Sequence, residues 1–253
     1  MKQIIIFTLL SISIFSCKEN SFNYKIEGTA KGVSDGAKIY LKHIDNGRDL
    51  LKDSGIVSNE KFKMIGSVAE PTIHFMSSDK IPGQLIFMLE NSDISINLDN
   101  KNMMASKVKG SESNDGFVLF QAGMDSIREE SRNVVLKLRS GGLTSGKKLK
   151  DSLYKLLEKS SIGMQEYPLR YVEKYNNSYF SLNLISLESS KPNFDIISFN
   201  KAFENLSPKL KNSPKGMETK QKLDSLMLKF EKKWYNSQRL SSSKQKVPKT
   251  TQR

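Results

Sequence analysis

Cysteine is nearly absent from this sequence: Cys17 is the only one among 253 residues. That count excludes an intramolecular disulfide, a two-cysteine redox pair and a zinc site built from several thiolates. Histidine is almost as scarce, with only His43 and His74, and no His-x-His or His-Glu-x-x-His pattern joins them to further ligands. Zinc normally takes three or four donors from His, Cys and carboxylates, so no metal is expected. The sequence also lacks a Gly-x-Ser-x-Gly elbow and a phosphate-cradling Gly-x-x-x-x-Gly-Lys run. Gly141-Gly142 with Gly146-Lys147-Lys148 has no buried strand before it and no Ser or Thr after the lysine, and reads as a linker between helices. Glu129-Glu130 reads as a solvated helix face. No catalytic residue and no cofactor are expected.

Acidic residues are in deficit as well. The formal net charge is +13. Past Glu231 no acid remains, whereas Lys232, Lys233, Arg239, Lys244, Lys246, Lys249 and Arg253 do. The stretch 236–253 is therefore expected to be a basic, disordered tail. Acidic glycans or lipid head groups are candidate partners for it through counterion release. No aromatic follows Tyr235 to stack on a base, and nucleic acid is not an expected partner.

Long apolar runs are confined to the start. Lys2 precedes a run from Ile4 to Phe15, the layout of a secretory signal with a short charged start and an apolar middle. The run falls short of the roughly 20 residues that a spanning helix needs. Ile14-Phe15-Ser16-Cys17 then resembles the bacterial lipobox, although Phe15 is bulkier than the usual residue at its place. This resemblance implies a diacylglyceryl group on the Cys17 sulfur and cleavage between Ser16 and Cys17. Residues 1–16 are thus expected to be a signal peptide and 17–23 a lipidated tether, because acyl chains both cap the exposed thiol and supply an anchor. The expected location is the cell envelope, on a membrane through lipid, with the outer membrane facing the periplasm or the surface as the leading choice.

Beyond the tether, apolar residues alternate from Tyr24 to about Val108, the period of strands with one buried face. The inward pairs read as Tyr24 and Ile26, Ile39 and Leu41, Phe62 and Met64, Ile73 and Phe75, Leu85 with Phe87 and Leu89, and Ile94 with Ile96 and Leu98. His74 then falls on the opposite, polar face, and His43 follows Leu41 in parity at a strand end. Tyr24, Tyr40 and Phe62 read as core aromatics in preference to a carbohydrate-binding face. After that the period lengthens. Phe117, Phe120, Met124, Ile127, Val134 and Leu138 form a helical stripe, with Ser113 or Asn114 as the expected N-cap. A second helix is expected from Lys147 toward Tyr175, interrupted near Gly163 or Pro168. Further pieces cover Tyr179 to Leu187, Ile196 to Leu206 and Gly216 to Trp234, the last with a packing stripe of Leu223, Leu226, Met227, Phe230 and Trp234. The fold class is α+β: an N-terminal antiparallel β-sandwich-like domain over 24–112 followed by a helical region over 113–235.

The order of several short motifs resembles the N-terminal half of Bacteroidetes-type lipoprotein thiol-disulfide oxidoreductases. These motifs are Tyr24–Gly28, Ala37–Leu41, Asp53-Ser54, Phe62 with Gly66, Pro71, Leu89-Glu90-Asn91, Ile94-Ser95-Ile96, Gly110–Asn114, Tyr171–Ser178 and Leu206–Ser213. One departure is the missing glycine before Phe62, where Asn59-Glu60-Lys61 stands instead. In that family a β-rich module of unknown function and a helical spacer lead into a thioredoxin-like domain with a Cys-x-x-Cys pair. The resemblance therefore implies such a module and spacer, without the thioredoxin-like domain. With no second cysteine, thiol-disulfide exchange by this polypeptide alone is not expected. The expected function is a noncatalytic binding or adaptor lipoprotein with an envelope protein as partner. The alternative is an accessory half of a redox system that docks a separate thioredoxin-like protein.

Overall fold

The computed structural model describes residues 23–45, 47–142 and 146–244. The expected signal peptide over 1–16, with Ser16, and the expected lipidation residue Cys17 lie outside the described residues. Among the described residues, eight strands form two four-stranded sheets. In the first, β4 (Lys61–Gly66), β1 (Tyr24–Thr29), β7 (Asp93–Asn97) and β8 (Lys107–Lys109) lie side by side. The second sheet has the order β3 (Arg48–Ile56), β2 (Lys38–Asp45), β5 (Thr72–Ser78) and β6 (Leu85–Leu89). All pairings are antiparallel except β1 with β7, which is parallel. The sheets share one core, in which Tyr24, Ile26, Phe62, Ile94 and Ile96 of one meet Ile39, Leu41, Met76, Phe87 and Leu89 of the other. Tyr24 also donates a hydrogen bond across the sandwich to Asp53 Oδ2 at 3.3 Å. Burial and the Asp53 charge push its phenol up to about 12.

Two strands depart from the simple alternation. On β5 the sandwich-facing residues are His74 and Met76, whereas Ile73 packs on the opposite side against the helices. The expected inward pair Ile73 and Phe75 is therefore on the outer face, and His74 is not on a polar face but 3 % exposed. The reason is that part of this sheet's outer face is itself covered, Ile73 of β5 and Met88 of β6 packing on the helical core while Ile86 stays exposed. Met88, outward on β6, is fully buried in the helical core between inward Phe87 and Leu89.

The turn before β4 keeps a glycine-like backbone without glycine: Asn59 and Glu60 have φ of 50° and 58°. Reciprocal backbone hydrogen bonds between Ser58 and Lys61 close it. Asp35 accepts from the Asn59 N–H at 2.8 Å, and Glu60 Oε1 accepts from the Gly32 N–H at 2.9 Å. These contacts hold two residues in the left-handed region, where a side chain normally costs stability.

Among the described residues, six α-helices follow: α1 (Glu112–Lys137), α2 (Lys147–Lys174), α3 (Tyr179–Glu188), α4 (Ile196–Glu204), α5 (Pro208–Lys211) and α6 (Pro214–Lys244). Ser111, not Ser113 or Asn114, is the N-cap of α1, its Oγ accepting from the Asn114 N–H at 3.0 Å. Ser113 and Asn114 instead reach back to the β region. Helix α2 runs through Gly163 and Pro168 without the expected interruption. Proline removes one helical hydrogen bond, yet the helix continues past Pro168 to Lys174, with aromatic packing on either side of it. Tyr167 stacks on Phe120 of α1 at 5.3 Å, and Tyr171 meets the same ring edge-on at 5.3 Å. The close approach needs Gly123, where a Cβ would lie 1.9 Å from the Tyr167 hydroxyl.

Helix α3 is the centre of the second core. Phe180 through Ile185 are buried in succession, as expected of a helix enclosed on all sides. Around it gather Tyr171, Val172, Phe199, Phe203, Leu210 and Leu223. Helix α6 runs past Trp234, its expected end, into the stretch for which disorder is expected. No glycine or proline follows Gly216 until Pro248, so nothing in the backbone chemistry stops the helix earlier. Its stripe is only half used for packing: Leu223 is buried, while Phe230 and Trp234 are exposed.

Candidate functional site

The β sandwich and the helices are joined by side chains of the first turn of α1. Asn114 Oδ1 accepts from the Met88 N–H at 3.1 Å, and Ser111 Oγ donates to the Met88 carbonyl at 3.2 Å. Two side chains thus satisfy the backbone of edge strand β6 as a neighbouring strand would. Glu90, just beyond β6, accepts from the Ser113 N–H at 3.2 Å and from its hydroxyl at 2.7 Å. A carboxylate at a helix N-terminus is favoured by the aligned backbone dipoles. On the far side, Asn183 of α3 donates to the Pro71 carbonyl at 3.2 Å.

Between these ties lies an open cleft of about 620 Å³, a volume within the range of small-molecule sites. Its β side consists of Val68–Pro71, Glu90 and Asn91, and its helical side of the first turns of α1, the loop from Tyr175 to Ser178, Tyr179 and Lys209. Three carboxylates line it. Glu90 has both oxygens engaged by Ser113. Glu70 accepts from the Lys215 N–H at 2.6 Å through Oε1, while its Oε2 is buried with no protein partner. Glu112 is exposed. Asn91 is fixed by a reciprocal pair of bonds to the Val68 backbone, at 2.9 and 2.7 Å.

The aromatic wall is closely packed. Tyr171 and Tyr175 lie 4.7 Å apart, and the Tyr171 hydroxyl donates to the Gly116 carbonyl at 2.7 Å. Burial, followed by the neighbouring Tyr175 and Tyr167 phenols, pushes Tyr171 up to about 12. Burial and then the Glu70 charge raise Tyr179 too. Lysines cover two of the rings, Lys174 at 5.1 Å from the Tyr175 centroid and Lys209 at 5.5 Å from that of Tyr179. The arrangement offers hydrogen-bond donors and acceptors, both charge signs and ring faces. Burial keeps the phenols of Tyr171 and Tyr179 protonated, and Glu90 is committed to the first turn of α1.

The two histidines also come together, with ring centroids 5.6 Å apart at one end of the sandwich core. His74 Nδ1 lies 3.2 Å from the Thr72 carbonyl oxygen, and His43 Nδ1 is buried without a partner. Burial above all, with smaller contributions from His43 and Lys52, pulls His74 down to about 4 against the opposing Thr72 contact. Among the described residues no group of three His, Cys, Asp or Glu side chains gathers to hold a metal. Tyr24 and Phe62 are core residues, whereas Tyr40, expected in the core with them, is only half-buried because its neighbours Ile39 and Leu41 take the inward side of β2; Glu129-Glu130 is an exposed face of α1.

Sequence reasoning named no residue of this cleft as functional. Several of the short motifs nevertheless meet there: Pro71, Glu90-Asn91, Ser113, and Tyr171 with Tyr175–Ser178 all line it. Their sequence separation, from residue 71 to residue 178, is why no local pattern revealed the site.

Comparison with curated proteins and with solved structures finds no match to this chain. Residues 24–117 match the family described as Domain of unknown function (DUF4369), a segment that spans the β sandwich and includes the first turn of α1, with the Asn114 that binds β6.

Proposed function

We propose that this chain is a noncatalytic lipoprotein of the bacterial cell envelope, tethered through Cys17 and acting as a binding or adaptor module whose ligand occupies the cleft between sandwich and helices. The observation that carries the reading is the cleft itself, where motif residues distant in sequence converge on a polar, aromatic-walled surface on which Glu90 and Tyr171 are held by structural bonds while Glu70 Oε2 is left without a protein partner. Anchoring draws on the lipobox-like Ile14–Cys17 at the end of the apolar run from Ile4 to Phe15. A lipid on Cys17 supplies membrane affinity without a spanning segment.

The anchor is tested by feeding labelled palmitate to bacteria that express the protein. Wild type takes up label and Cys17→Ser does not; equal labelling of both removes the lipoprotein reading. The cleft is tested by placing a photo-crosslinking residue at Asn177 and, as a control, at the exposed Leu136 of α1. Adducts confined to position 177 support the binding role, and identical adduct patterns from both positions refute it.

A further inference from the structure

The stripe that packs α6 onto the body does not stop where the body does. Leu223 is buried, Leu226 and Met227 are partly buried against the helical core, and the same face then continues as Phe230 and Trp234. The spacing 223, 227, 230, 234 keeps these side chains on one side of the helix. Beyond Met227 every residue through Gln238 is exposed, with Trp234 57 % and Tyr235 64 % open to solvent. Two aromatics in line with a packing stripe, left uncovered, are costly on a free surface.

The charge around them has one sign. Lys229, Lys232 and Lys233 sit among the aromatics, Arg239 and Lys244 follow within the helix, and Lys246, Lys249 and Arg253 follow in sequence, against the single acid Glu231. We propose that this distal half of α6 docks on an anionic lipid surface, with Phe230 and Trp234 entering the boundary between head groups and acyl chains and the lysines among lipid phosphates. Tryptophan and tyrosine favour that boundary, and basic residues flanking an apolar face are drawn to anionic head groups. A second copy of the chain would bring two basic ends together, which repels. A protein partner fits less well, because lysine is depleted at the centre of protein interfaces. The inference goes beyond the binding-module reading and does not require lipid on Cys17; where that lipid is present, the helix provides the second membrane signal that stable anchoring by acyl chains uses.

Trp234 is the only tryptophan in the chain, so its fluorescence reports this surface alone. The test uses the chain from residue 17 onward carrying Cys17→Ser, which removes any acyl anchor. Added vesicles containing phosphatidylglycerol should shift the emission to the blue and shield Trp234 from an aqueous quencher. Phosphatidylcholine vesicles should bind at least tenfold more weakly, and high salt should reverse the effect. Phe230→Ser, and separately the triple change of Lys229, Lys232 and Lys233 to Glu, should each weaken binding at least tenfold with an unaltered circular dichroism spectrum. The proposal is overturned by no shift with anionic vesicles, by a shift that grows with protein concentration alone and so reports a second copy, or by a shift seen only with an added thioredoxin-like protein. Palmitate labelling of Cys17 is a separate readout, so either idea can fail without the other.

Discussion

Replacing Asn114 with alanine probes the joint between the two layers. Its Oδ1 accepts from the Met88 N–H at 3.1 Å, Asn114 is 2 % exposed and Met88 is fully buried. Truncation leaves that N–H without an acceptor and without access to water, which costs about 1–3 kcal/mol. Loss of the buried amide volume adds to this, so about 2–3 kcal/mol is expected in all. For a chain of this size each kcal/mol corresponds to roughly 2–4 °C, giving a fall in Tm of about 4–12 °C. The assay is urea unfolding followed by far-ultraviolet circular dichroism, dominated by the helices, and in parallel by hydrogen exchange at the strand amides of the sandwich. Because Ser111, Ser113 and Asn114 tie α1 to Met88 and Glu90, the two signals should move together to a lower midpoint. A loss below about 0.5 kcal/mol would show that the bond carries no weight, well under the cost of an orphaned buried donor. Separation of the two transitions would show that the layers fold independently, and that the cleft between them is not a fixed surface.

Two further outcomes test the turn and the buried histidine. At the left-handed Glu60, both Glu60→Gly and Glu60→Ala lose the side-chain bond to Gly32, so their difference isolates the backbone: the glycine variant should be more stable by about 1 kcal/mol in urea, and equal stability would contradict the left-handed turn. His74 is pulled down to about 4 by burial, whereas an unfolded histidine titrates near 6.5. Between those values the unfolded chain binds more protons, so the stabilising effect of keeping His74 neutral is fully present above pH 6.5. It is lost as pH falls toward 4, by about 3 kcal/mol in all. His74→Phe should flatten the midpoint of unfolding over that window, and an unchanged slope would mean that another group titrates.

Much of the fold was legible because it is local. Alternation from Tyr24 to Leu98 marks the strands, and the change of period at Phe117 marks the helices, since each period follows from backbone geometry. What alternation does not reveal is which face meets which layer. On β5 the apolar pair Ile73 and Phe75 outweighs His74 and Met76 in sequence, yet the sandwich core takes the latter because the helices cover the former side. A sheet covered on both sides loses the contrast that makes a face readable. Caps show the same limit. Three polar residues near the start of α1 are chemically suitable, and the position of β6 decides that Ser111 caps while Ser113 and Asn114 hold the strand.

By itself, then, the sequence determined the α+β class, the single thiol that excludes a redox pair, the basic balance, and the spacing that puts Leu223, Met227, Phe230 and Trp234 on one side of a helix. Only the tertiary structure decided where that side stops being buried, and that Glu70, Glu90 and Tyr175 face one cleft. Periodicity is a property of neighbours along the chain, whereas a cleft and an uncovered stripe are set by where distant segments end in space.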